Sequence, residues 1–361
     1  MLKKVLTVIG AMALLTATQA QDSTKGTTTF TTSVDAYYRY DFSGKYQVKN
    51  NKNCFTNSAN SFELGMASIK VDHSVGKLTA TADLGFGRRA EEFSYNDRNF
   101  HMGKSVVDPT MDSILYSSPN SLALIKQAYL SYQATSKVKF TIGKWATHVG
   151  WELVDAYANR NYSMAYAFNN GPFFHTGFKA DISLGGKTAL MVGVANPTDF
   201  TTTDKDGKMF IAQLSTATKN DKLKAYLNYQ GGTNQLNQKL SQFDLVLNYA
   251  PSSTFSAVYN GTIQNQDGQN WGSNVLYLNY DPSSKIGWTL REELFSDKKD
   301  LKFAGAESVM ATTLSANIHL ANLTIIPELR LDNAKNEVFL DKDGNATKST
   351  TSFILAATYK F

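Results

Sequence analysis

Arg291 and Glu293 stand two residues apart, as do Glu328, Arg330 and Asp332. Asp35, Arg39 and Asp41 share one parity of another run, and Lys179 lies in a third. A spacing of two puts side chains on one face of a β-strand. Acids and bases on such a face have two uses. They pair across strands and fix register, or they line a wet path and act on the charge that passes. A second group lies in an irregular stretch, residues 145–172, with His148, Trp151, Glu152, Asp155 and Arg160. No metal-ligand spacing, phosphate loop, nucleophile elbow or telling pair of carboxylates is present. His73, His101, His148, His175 and His319 are scattered. Asp341-Lys-Asp343-Gly344-Asn345 echoes a calcium loop without its twelfth-position Glu, so it reads first as a turn. Asp204-Lys-Asp206-Gly207 reads the same way. No catalytic residue and no cofactor are expected.

The chain has 361 residues, with 36 Lys+Arg against 31 Asp+Glu and a net charge of +5. That small, scattered excess is no nucleic-acid footprint. Cys54 is the sole cysteine, which excludes a disulfide scaffold and reads as an inert loop thiol. Mean hydropathy is −0.30, and no apolar run past residue 20 has the length of a spanning helix. Met1 to Ala20 has a basic end (Lys3, Lys4), an apolar stretch and the small-residue site Thr18-Gln19-Ala20. It reads as a secretory signal cleaved near Ala20. Residues 21–361 then form one domain.

That domain alternates with period two. Phe30, Thr32, Val34, Ala36, Tyr38, Tyr40 and Phe42 oppose Thr31, Ser33, Asp35, Tyr37, Arg39 and Asp41. The split recurs in sixteen segments: 29–42, 61–73, 77–88, 121–133, 137–145, 173–184, 187–196, 208–216, 222–230, 240–250, 253–262, 272–280, 285–295, 308–320, 323–333 and 351–361. Most approach the roughly 9–11 residues of a tilted transmembrane strand. Long connections (43–60, 89–120, 146–172, 197–207, 231–239, 263–271, 296–307, 334–350) alternate with short turns. Outer-membrane barrels sort their loops in this way. The predicted fold is all-β: a transmembrane antiparallel β-barrel of 16 strands with short periplasmic turns and long extracellular loops.

Some positions fit poorly. Parity slips between Phe62/Leu64/Met66 and Ala67/Ile69/Val71, which predicts a β-bulge near Met66. Lys126 and Glu292 have lipid-side parity, which places both near an interface or marks a wrong register. Pro327 lies inside a strand and needs a bulge or locally open pairing.

The chain ends Phe353-Ile-Leu-Ala-Ala-Thr-Tyr359-Lys360-Phe361. This terminal aromatic strand resembles the assembly signal of Gram-negative outer-membrane barrels. The domain as a whole resembles the β-barrel porin-2 (OmpL-like) family. Resembling segments include Ser33-Val-Asp-Ala-Tyr-Tyr-Arg-Tyr-Asp41, Ile125-Lys-Gln-Ala-Tyr-Leu-Ser-Tyr132, Phe140-Thr-Ile-Gly-Lys-Trp145 and Asn161-Tyr-Ser163. Gly171-Pro172 with His175-Thr-Gly177, Arg291-Glu-Glu-Leu-Phe-Ser-Asp297 and Pro327-Glu-Leu-Arg-Leu-Asp332 complete the set. The resemblance implies an outer-membrane porin, passing small hydrophilic solutes and ions by passive diffusion. Its partners would be outer-membrane lipids, the barrel-assembly machinery at Phe361, the solutes, and further copies in a homotrimer.

Sixteen strands leave an aqueous lumen. Its polar-parity wall holds ten acids and eight bases, so selectivity must come from a local ring of charge. In general porins the third outside loop narrows the pore. By position that loop is 145–172, which predicts that Glu152, Asp155 and Arg160 face Arg39, Arg291 and Arg330 across an eyelet. The alternative is a barrel plugged by its loops, acting as a surface structure or adhesin. Asp112-Ser113-Ile114 also resembles a short O-glycosylation motif.

Overall fold

A computed structural model describes residues 26–97 and 121–361. The expected signal peptide with its cleavage site near Ala20, His101 and the expected glycosylation site Ser113 lie outside the described residues. The barrel strands are β1 (Thr27–Asp41), β2 (Ser61–Val75), β3 (Leu78–Phe86), β4 (Ile125–Gln133), β5 (Val138–Ala146), β6 (Phe174–Gly185), β7 (Thr188–Ala195) and β8 (Met209–Ala217). They continue with β9 (Leu223–Thr233), β10 (Lys239–Tyr249), β11 (Phe255–Gln266), β12 (Gln269–Ser283), β13 (Ile286–Asp297), β14 (Glu307–Leu320) and β15 (Leu323–Ala334). A two-stranded ribbon, β16 (Phe339–Leu340) and β17 (Ala346–Thr347), precedes the last barrel strand, β18 (Ser349–Lys360). β18 pairs antiparallel with β1, from Ser33 opposite Lys360 to Asp41 opposite Ser352, and closes a sixteen-stranded barrel. Closure leaves no unpaired edge, as a bilayer demands.

Each predicted segment is a barrel strand, with one connection read wrongly. Residues 263–271 are a tight hairpin at Asp267-Gly268, both at positive φ. An Asp-Gly pair supplies this geometry, so β11 and β12 run on into the predicted loop.

The misfits resolve individually. Asp35 pairs with Met66 and Ala36 with Leu64, which leaves Gly65 as the extra residue of a bulge. A Cβ at Gly65 would collide with the Asp35 carboxylate and the Tyr162 hydroxyl. For Lys126 the second alternative, a shifted register, holds. The β3–β4 register shifts between Asp83 and Leu84, and this bulge turns Lys126 into the lumen, 1% exposed. Glu292 stays on the lipid-side face, midway along β13 and away from either end, where its carboxylate accepts a 2.8 Å hydrogen bond from the Thr312 hydroxyl. Opposite Pro327, the β14–β15 ladder opens between Ser315 and Ile318.

The outward face carries exposed Leu, Phe, Ile and Tyr side chains, whereas much of the inward face is buried. The burial comes from loops. The β3–β4 connection carries helix α1 (Arg88–Phe93), and the β5–β6 connection carries α2 (Tyr166–Asn170). Phe93, Val154, Met164, Phe168 and Phe173 of these loops form one apolar cluster with Phe55 of the β1–β2 connection and Phe174 at the start of β6.

Candidate functional site

The connection from β5 to β6 crosses the lumen, and polar groups on the wall hold it along its length. The imidazole Nε2 of His148 donates to the Tyr229 carbonyl of β9 at 3.1 Å. The N–H groups of Gly150 and Trp151 donate to Asp244 on β10 (3.1 Å) and Asn260 on β11 (3.2 Å). Arg291 on β13 reaches Glu152 at 2.7 Å and the Ser163 carbonyl at 2.6 Å. The Tyr162 and Ser163 N–H groups donate to the two carboxylate oxygens of Glu328 on β15, at 2.7 and 3.1 Å. Those of Tyr166 and Ala167 donate to Glu293, both at 2.7 Å. These are opening N–H groups of α2, which the helix itself cannot satisfy. Without such partners a segment inside the barrel would carry costly orphan donors.

Of the residues expected to face one another, Glu152 and Arg291 are brought together. Glu152 and Arg291 form an ion pair with side chains 4% and 0% exposed. Asp155 instead bonds Lys126, at 2.6 Å, and Lys126 also lies 3.1 Å from Asp83. Arg160 makes a forked contact with Asp281 on β12 and donates to Thr289 at 2.8 Å. Arg39 and Arg330 pair along their own strands with Asp41 (3.2 Å) and Asp332 (2.9 Å). Arg330 also donates to the Met164 carbonyl at 2.7 Å. Lys179 sits 3.4 Å from Asp181. Arg291, Glu293 and Glu328 thus hold the loop rather than one another. The mixed charge of the wall answers the mixed donors and acceptors of the loop backbone.

Sequence reasoning missed Lys126 because a bulge reverses its parity. It also missed Arg89 of α1, which is completely buried. Arg89 donates to the Val154 and Tyr162 carbonyls (3.2 and 3.3 Å) and stacks 4.8 Å from the Tyr162 ring. The Tyr162 hydroxyl donates to Asp35 at 2.6 Å, beside the Gly65 bulge. The parity slip at Gly65 was the only sequence signal of this junction.

Two cavities flank the crossing segment among the described residues. One, of about 280 Å³, is lined by Thr31, Ser68, Lys70, Gln127 and Tyr157. The other, of about 600 Å³, lies among the long loops and is lined by Asn96, Asn170, Phe173, Asp199 and Gln266. Phe93 lines the first and Phe173 the second, and their rings stack at 6.0 Å. Burial pushes Asp199 up to about 7, opposed by the N–H groups of Phe174 and Phe173, the Tyr95 hydroxyl and Lys144. Burial draws His148 down to about 4. Its ring lies 5.1 Å from that of His175. Burial lifts the Cys54 thiol to about 11, which disfavours the thiolate. No cluster of three or more metal-ligating side chains occurs among the described residues.

No curated protein matches the chain. The outer membrane channel DcaP of Acinetobacter baumannii has a similar fold, with 12% identity, 93% of this chain and 97% of that chain covered, and a TM-score of 0.58. An anion-selective porin from Comamonas acidovorans gives 11%, 93%, 100% and 0.56 in the same order. OprB of Pseudomonas putida gives 9%, 92%, 94% and 0.61. At these identities the likeness is one of fold. The family model for beta-barrel porin-2, OmpL-like, matches residues 27–361, and the chain belongs to that family.

Proposed function

We propose that this barrel is an outer-membrane porin through which small hydrophilic solutes diffuse passively, with the segment at about 145–172 as its constriction. The observation that carries the reading is the crossing of the lumen by that segment, fastened to β1, β4 and β9–β15. A closed barrel with a polar inner wall supplies a wet path without cofactor or energy. The family and the fold neighbours are channels rather than enzymes, and no residue is assigned a catalytic role. Asp35, Arg39, Asp41, Glu293, Glu328, Arg330 and Asp332 shape the constriction by holding loops. Lys70, Lys179 and Gln127, less buried, meet solute more directly.

The same reading places the mature chain in the outer membrane of a Gram-negative cell after cleavage near Ala20. Phe361 is presented to the assembly machinery. A trimer form is known for OmpT of Vibrio cholerae, which supports a homotrimer here. One observation favours a second reading, a barrel closed by its loops and used as a surface structure. Arg291, Glu293 and Glu328 are at most 1% exposed, so they present almost no charge to solute. Current through single refolded barrels separates the two readings.

A further inference from the structure

The connections after β1, β3, β5, β7, β9 and β13 converge beside the crossing segment and wall the cavity of about 600 Å³. That size suits a small organic ligand. Its hydrogen-bonding capacity is lopsided. Asn96, Asn170 and Gln266 line it. Their amide nitrogens are spent inside the protein, on the Asp199 carbonyl at 3.1 Å, the Tyr166 carbonyl at 2.9 Å and the Gln238 side-chain oxygen at 2.7 Å. Their amide oxygens have no donor among the described residues. An amide oxygen only accepts, so this wall suits a ligand that donates.

The lining acids do not make it a cation site. Both Glu92 oxygens are taken, by the Phe55 N–H and the Asn57 amide. Asp199 accepts from the Phe173 and Phe174 N–H groups with one oxygen and from the Tyr95 hydroxyl, at 3.3 Å, with the other. Lys302 brings a positive charge to the same lining. An apolar platform stands beside the acceptors. The Tyr95 ring is 43% exposed and packs edge-on against Phe173 at 5.9 Å. Phe200 and Leu236 extend that platform.

We propose that this cavity binds a short neutral saccharide on its way to the constriction. A pyranose has an apolar C–H face and a rim of hydroxyl donors. The face lies on Tyr95, and the hydroxyls donate to Asn96, Asn170 and Gln266. A site built to hydrogen-bond hydroxyl groups rejects analogues that lack them. The onward route rests on the porin reading, whereas the binding does not.

The test is calorimetric titration of the refolded barrel in an amine-oxide detergent, which has no sugar head to compete. The probes are maltotriose, spermine and the dimethyl ether of hexaethylene glycol, whose oxygens donate nothing. Maltotriose should bind tighter than either other probe by about fivefold or more, the scale of one lost hydrogen bond. Gln266→Met should weaken maltotriose by about the same factor. Tyr95→Ala should abolish its binding and Tyr95→Phe should keep it. The Phe variant retains the ring but loses the bond to Asp199, so it separates stacking from a merely structural role. Heat-modifiable migration shows that each variant is folded. Equal binding of the three probes, or tightest binding of spermine, overturns the proposal. So does a folded wild type that binds no maltotriose, wild-type affinity in Tyr95→Ala, or loss in both Tyr95 variants. A barrel that binds maltotriose but carries no current upholds the site and contradicts the porin reading.

Discussion

Arg291 Nη1 lies 2.7 Å from Glu152 Oε1, and this buried pair joins the barrel wall to the segment that crosses the lumen. The same guanidinium donates to the Ser163 carbonyl and to the Thr313 hydroxyl. Removing one partner of a buried pair leaves an uncompensated charge and costs about 3–5 kcal/mol. Glu152→Gln should therefore loosen the segment and expose Arg160 to trypsin at a faster rate in an otherwise folded barrel. The double variant with Arg291→Met should be cleaved more slowly than the single one. Unchanged cleavage in Glu152→Gln would show that the pair does not hold the crossing.

Lys126 holds two acids from different elements, Asp83 of β3 and Asp155 of the crossing segment. Lys126→Met keeps the length of the side chain but leaves both carboxylates without their cation. The β4 bulge then loses its reason to turn inward. The expected result is a lower yield of heat-modifiable barrel, restored in part by adding Asp83→Asn. A yield equal to wild type would count against the latch.

Gly65 is the position where β2 bulges and Asp35 meets Tyr162. Gly65→Leu would place carbon where the Asp35 carboxylate and Tyr162 hydroxyl now sit. Expelling a buried carboxylate from its hydroxyl partner costs on the order of 1–3 kcal/mol. The refolded variant should unfold at a lower temperature, and Gly65→Ala should show a smaller change.

Asp199 gives a pH dependence with a definite sign. Burial raises its pKa from 3.8 to about 7, so the folded loop prefers the protonated acid. The stabilisation is full below about pH 4, declines as pH rises from there to about 7, and is flat above. Hydrogen exchange at Phe173 and Phe174, whose N–H groups donate to Asp199, should quicken across that window beyond the intrinsic rate. Asp199→Asn should remove the dependence. A variant with the wild-type profile would assign it to another group.

Most of the barrel was legible because period-two alternation is a property of single strands. The sixteen segments, the bulge at Gly65 and the open pairing at Pro327 all follow from parity and from the missing proline N–H. The use of the wall charges was not legible. Arg330 and Asp332 are neighbours on one strand face, and pairing could be read there, yet nothing local shows that Glu328 would bind the Tyr162 N–H 166 residues away. The partners of Asp155 and Arg160 depended on a bulge at Lys126 and on Asp281 at the end of β12. Neither position leaves a periodic trace. Asp267-Gly268 was misread because its strands outrun the membrane-length pattern.

The central claim is that the crossing segment narrows an open pore. Single-channel current of the refolded barrel in a planar bilayer tests it most directly, alongside a folded variant lacking residues 150–165. The account predicts steady ohmic steps for the intact barrel and a several-fold larger step for the deletion. A folded, inserted barrel that carries no current, or a deletion with unchanged current, would contradict it.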